Sequence, residues 1–121
     1  MSGIQADPTK KHLHVVLTDS FGRASQVLVT SVASIRTKKF DDTRLLEPGE
    51  HEFVRRLSYV FYRETLLLEV QRIKACLESG EYAQKADISE ELYYRIASGV
   101  FESKQCPKFA RKVLQDLGLP K

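Results

Sequence analysis

The sequence predicts an α+β fold, mainly helical: an N-terminal β-hairpin followed by one long helix and three shorter helices. Three observations lead there. Residues 12–18, HLHVVLT, alternate with period two, so that Leu13, Val15 and Leu17 share one face. From Glu50 to Leu77 no Gly or Pro interrupts the chain. Beyond it, Ser79-Gly80, Ser89, Pro107, Gly118 and Pro120 stand where helices start and stop.

The first eleven residues, MSGIQADPTKK, are polar and read as a flexible N-terminal arm, leaving 12–121 as a single domain. The hairpin is expected over 12–36. Asp19, Ser20 and Gly22 supply turn chemistry after the first strand. The β-branched run in SQVLVTSVASI then favours a second strand. A helix competes for 24–36, because Ala24, Val27, Leu28, Val32 and Ile35 also share a helical face. RTKKFDDTRLLEPGE is polar and connects two halves.

The long helix is expected over 50–78. Phe53, Leu57, Val60 and Phe61 form one apolar group, and Leu66, Val70, Ile73 and Leu77 another, the latter at i, i+4, i+7 and i+11. Some 27 residues would span about 40 Å. Such a helix is either wrapped as a core or packed on a second copy. Residues 79–121 hold the shorter helices: Glu81–Ala86, Ser89–Ala97 with Ser89 as N-cap, and Pro107–Leu117 with Phe109, Val113, Leu114 and Leu117 on one face.

The net charge of +3 is unevenly placed. Residues 1–44 and 100–121 each carry +3, and 45–99 carry −3. No apolar run reaches the ~20 residues of a membrane span. A cytoplasmic protein without membrane contact is expected, with Cys76 and Cys106 as reduced thiols. Enzyme chemistry finds no support. His12 and His14 alternate on a strand, yet no Cys, Asp or Glu joins them at ligand spacing. His51 is isolated, neither Cys has a local base, and there is no glycine-rich phosphate loop. No cofactor is expected.

The best functional lead is ADISEELYYRIASG, 86–99. With Ala83 as a small crossing residue, Asp87 at a turn, Ile88 as anchor, Ser89 as cap, and Leu92 and Ile96 facing inward, it resembles the phage-repressor-type helix-turn-helix family over 77–120. The tail FARKVLQDLGLP resembles that family's closing helix. The resemblance implies a small non-enzymatic transcriptional regulator whose second helix enters the major groove of DNA. It would present Glu90, Glu91, Tyr93, Tyr94 and Arg95 to bases, while Lys104, Lys108, Arg111 and Lys112 meet phosphates. Glu90 and Glu91 also suit a helix N-terminus, whose dipole favours anions. A dimer through the long helix or the hairpin edge would match paired half-sites. A second resemblance, carried by VQRIKACLESGEY at 70–82, is to the flagellar anti-sigma factor family. It implies a protein-binding regulator that meets a polymerase subunit and no nucleic acid. An accessory subunit of a larger assembly is the remaining alternative.

Overall fold

The computed structural model describes residues 2–6 and 12–117. Among these residues, six strands and three helices follow one another as β1 (Ser2–Ala6), β2 (His12–Val16), β3 (Gln26–Ser34), β4 (Leu45–Leu46), β5 (Ser58–Glu69), α1 (Val70–Ser79), β6 (Tyr82–Asp87), α2 (Glu90–Gly99) and α3 (Lys108–Asp116). The strands form one antiparallel sheet in the order β4-β5-β3-β2-β1-β6. The class is α+β, but it is not mainly helical: the helices number 10, 10 and 9 residues, while β3 and β5 alone number 9 and 12.

The hairpin expected over 12–36 forms, with His14 opposite Ser31 and Val16 opposite Val29. Its turn is closed by the Thr18 hydroxyl, which accepts from the Leu28 N–H at 3.1 Å, and by Leu17 N–H on Leu28 O at 2.8 Å. Residues 26–34 are strand rather than helix. Val27 to Val32 are all buried, because β3 is covered on both faces.

The long helix of 50–78 does not form. Its middle, 58–69, becomes β5, where Val60 and Tyr62 point into the core while Tyr59 and Phe61 are half-buried on the opposite face. Aromatic and β-branched residues pack well on a pleated surface, and β3 supplies their hydrogen-bond partners. Pairing with β3 runs Val29↔Leu66 and then Ser31↔Phe61, so residues 62–65 bulge opposite the single residue Thr30. Helix begins only at Val70 and ends at Gly80, whose φ of 86° gives the expected left-handed cap.

The helix expected over 81–86 is also absent, because 82–87 is the strand β6 on β1. Among the described residues there is therefore no helix-turn-helix: Ala83 lies in a strand, and Ile88, Leu92 and Ile96 pack into the main core instead of onto a preceding helix. Nor is Ser2–Ala6 a loose arm, since it pairs with both β2 and β6. Met1, residues 7–11 and 118–121 lie outside the described residues. The two helices after β6 follow their punctuation. Ser89 Oγ accepts from Leu92 N–H at 3.1 Å to start α2, and Pro107 precedes α3. On α3 the buried positions are Ala110 and Leu114, whereas Phe109 and Leu117 are exposed.

The sheet separates two apolar clusters. The larger joins Leu13, Val15, Leu28, Val32, Val60 and Tyr62 to Leu92, Ile96, Val100, Ala110 and Leu114 of the C-terminal helices. The smaller sets Val27 and Val29 against Ile73 of α1. One polar contact fixes how α2 sits on the sheet. The fully buried Tyr62 hydroxyl donates to Ile96 O at 2.6 Å. Gly99 makes room for it: a Cβ there would lie 1.9 Å from the Tyr62 hydroxyl and 2.8 Å from Cγ of Arg44. Arg44 then reaches over the same helix end, donating to Arg95 O at 2.9 Å and Ser98 Oγ at 3.1 Å.

Gly99→Ala is therefore expected to destabilise the fold by about 1–3 kcal/mol through overpacking. Tyr62→Phe should cost about 1 kcal/mol, by leaving Ile96 O unpaired. In chemical denaturation the double variant should cost less than the sum of the singles, because removing the hydroxyl relieves part of the clash.

Candidate nucleic-acid interface

Of the nine residues predicted to touch nucleic acid, the eight other than Tyr93 fall into three groups. Glu90 and Glu91 are exposed in the first turn of α2, where the helix dipole favours them. Arg95 and Arg111 are engaged in the fold. Arg95 pairs with Glu50 and donates to Leu45 O at 2.8 Å, and Arg111 donates to Ser103 O at 2.9 Å. Tyr94, Lys104, Lys108 and Lys112 are exposed. Tyr94 stands edge-on to Tyr93 at 5.2 Å, and Tyr93 is tied inward by its hydroxyl on Leu17 O at 2.6 Å. These eight do not make one reading surface.

The hairpin edge is not available for a dimer either: β2 lies between β3 and β1, and β3 between β5 and β2.

A different surface gathers the chemistry. On the face away from α2 and α3, α1 covers only the end that carries Val27 and Val29. At the other end Tyr59 and Phe61 stand two residues apart on β5, opposite Ala33 and Ser31. Phe40 joins them from the connection after β3. The Tyr59 ring lies 5.6 Å from Phe40 and 5.5 Å from Phe61, with tilted planes. All three rings are half-buried. Across Ser31, the His14 and Tyr82 rings stack at 6.3 Å, and the Ser31 hydroxyl meets His14 Nδ1 at 3.2 Å.

Cations rim the same end of the sheet. β3 leaves into a loop with Arg36, Lys38 and Lys39, and β5 is entered through Arg55 and Arg56. Ile35 N–H donates to Leu57 O at 3.1 Å, which holds the two segments side by side. Thr37 Oγ1 donates to Lys39 O at 3.0 Å and shapes the loop. All five cations are exposed. The ion pairs among the described residues, Arg44–Glu102 and Arg95–Glu50, use none of them. Burial pushes the Tyr59 phenol above its usual range, with Asp41 and Glu64 adding to the effect, so the ring stays a neutral hydroxyl at physiological pH.

Sequence reading missed this surface because its parts are separated in the chain. Phe40 sits in a stretch read as a polar connection, and Tyr59 and Phe61 in one read as helix. The signal that could have found them is the alternation of Tyr59 and Phe61 with Val60 and Tyr62.

Elsewhere the chemistry is sparse. A shallow cavity of about 480 Å³ is lined by Leu45, Glu47, Pro48, Gly49, Glu50, Leu57 and Arg95, and its Glu50 and Arg95 neutralise one another. Among the described residues no three His, Cys, Asp or Glu side chains gather as a metal site. Cys76 and Cys106 are free thiols, each 5% exposed, and burial pushes the Cys106 thiol above its usual range. No helix among the described residues is long and apolar enough to cross a membrane. No protein-family model matches the chain, and comparisons with characterised proteins and with solved structures found no significant similarity.

Two outcomes are expected. The hydrogen bond from Arg95 holds the Glu50 carboxyl below its ordinary 4.5. Its stabilisation is thus complete above that value and lost as pH falls through the lower folded value. Thermal melts of Glu50→Gln should trail wild type at neutral pH, by no more than about 1 kcal/mol for a pair still open to solvent, and converge with it in acid. Both thiols should resist a disulfide reagent in the native protein and react at once in denaturant.

Proposed function

We propose that this protein is a non-enzymatic binding module for single-stranded nucleic acid, and that it works through the sheet face rather than a helix in a groove. The observation that carries the reading is the juxtaposition of Phe40, Tyr59 and Phe61 with Arg36, Lys38, Lys39, Arg55 and Arg56 at one end of the sheet. Aromatic side chains on an antiparallel sheet offer stacking faces to unpaired bases, and flanking cations hold the phosphates. The base-stacking element needs no sequence-specific contact, which suits a face with few polar groups.

Duplex readout is the poorer fit. The helix that would enter the groove starts with Glu90 and Glu91, and its Arg95 is turned to Glu50. Location in the cytoplasm, with two buried reduced thiols, belongs to the same reading. A protein-binding regulator is the second reading. It rests on α3, where exposed Phe109 and Leu117 and half-buried Val113 recur at i, i+4 and i+8 beside Lys108 and Lys112.

Fluorescence anisotropy with labelled single-stranded DNA and RNA, titrated across salt, tests the choice. Binding should weaken with salt at a logarithmic slope of about −0.7 per phosphate contacted. Lys38→Glu with Lys39→Glu should lower affinity at least about tenfold and flatten that slope. Tyr59→Leu should weaken binding, by about 1–3 kcal/mol, and leave the slope unchanged. An absence of binding at low salt, or affinity indifferent to these changes, would reject the sheet-face reading.

A further inference from the structure

α1 divides its face of the sheet into a covered band and an open one. Val16 of β2, Val27 and Val29 of β3 and Leu68 of β5 pack in one cluster with Ile73 and Leu77 of the helix, and Tyr82 of β6 closes its border. The cover thus crosses the strands from β5 to β6. The register carries the division from strand to strand. Val16 stands opposite Val29; two residues further out, His14 stands opposite Ser31, and Ser31 opposite Phe61. Directly opposed residues share a face. The open band therefore runs beside α1, from β5 over β3 to β2.

Rings stand at both ends of that band. Phe40, Tyr59 and Phe61 occupy the β5 end. At the other end the His14 and Tyr82 rings stack at 6.3 Å, with 26° between their planes. In the middle β3 contributes Ser31 and Ala33, both small, where under α1 it carries Val27 and Val29. No large side chain of β3 separates the two groups. The Ser31 hydroxyl, 3.2 Å from His14 Nδ1, steadies the imidazole. His14 and Tyr82 are half-buried, as Tyr59 and Phe61 are. A cation flanks this end as well. Burial pushes the Tyr82 phenol above its usual range, with Cys76 and Glu81 adding to the rise, while the exposed Arg72 of α1 acts against it.

We infer that His14 and Tyr82 form a second base-stacking position, and that a bound single strand lies across β5, β3 and β2, beside α1, rather than along β5. This rests on the sheet-face reading and adds the route of the ligand to it. Along β5 the way is blocked, because Leu68 already lies under α1. Across the sheet, Phe61 and His14 stand two inter-strand gaps apart, about 9.6 Å. That is about three steps of a stacked strand at ~3.4 Å each.

The probe is an oligothymidylate of about eight nucleotides with a single 4-thiothymidine, cross-linked by light to the full chain and mapped by mass spectrometry. As the reactive base is moved along the strand, labelling should pass from the peptide holding Tyr59 and Phe61 to those holding His14 or Tyr82, about three nucleotides away. In anisotropy, Tyr82→Leu should weaken the same oligonucleotide at least about fivefold, while Tyr82→Phe, which keeps the ring, should bind as wild type does. Cross-linking uses the wild-type chain, so it decides even where a variant folds poorly. Labels confined to Phe40, Tyr59 and Phe61 at every position overturn the inference. So does affinity that falls with Tyr59→Leu and ignores Tyr82→Leu, or that falls equally with Tyr82→Leu and Tyr82→Phe. Each of these leaves the sheet-face reading standing. A chain that binds no oligonucleotide at low salt rejects both.

Discussion

The Tyr62 hydroxyl, buried beneath α2 and bonded to Ile96 O, is the contact on which the arrangement of sheet and helices turns. A phenol in an apolar core must find an acceptor. Here the acceptor lies near the end of a helix, where carbonyls lack partners inside the helix. The ring and hydroxyl occupy the volume that a side chain at position 99 would need. Arg44 closes the same corner from above, bound to Arg95 O and Ser98 Oγ and paired with Glu102. Below it, the Asp41 carboxylate accepts from the Ser103 hydroxyl at 2.6 Å and from Thr43 N–H at 3.0 Å, tying the segment between α2 and α3 to the segment before β4. Burial of Tyr62 leaves its proton secure, and the contact is a plain neutral hydrogen bond.

Local punctuation was legible in the sequence, and long-range pairing was not. The alternation at 12–18, the Gly80 stop, the Ser89 cap and the Pro107 start all describe what the neighbouring residues do, and each forms as expected. β5 was read as helix for a physical reason. Val60 and Tyr62 meet the main core on even numbers, but after the bulge Thr65 and Leu67 meet it on odd ones. A period-two signal cannot survive a change of phase in mid-strand. The wide spread of apolar residues that remains passes for a helix buried on several sides. Tyr82–Asp87 has little strand character of its own, and pairing with β1 decides its conformation.

The helix expected over 81–86, which a helix-turn-helix needs, is absent on the same ground. The cap and apolar spacing of that motif are real features of α2, but they anchor the helix to a sheet. The candidate site was not legible in the sequence, which pointed to Arg95, Lys104, Lys108, Arg111 and Lys112 instead. Arg95 and Arg111 are held by Glu50 and Ser103, whereas Arg36, Lys38, Lys39, Arg55 and Arg56 stand free of the observed ion pairs. Nothing in the spacing of residues 36–39 and 55–56 announces that β3 and β5 will bring them to one place.

The path of α1 sets a limit on how many strands lie between β5 and β6. The helix leaves β5, second strand from one border, and delivers the chain to β6 at the opposite border, four inter-strand gaps away. Ten helical residues measure about 15 Å, and four gaps about 19 Å, so helix and short turn together match the crossing. The helix thus behaves as a ruler. A further strand inserted under it would leave the connection short, and one removed would leave it slack, so the number of strands between β5 and β6 is fixed by the length of a segment that belongs to none of them.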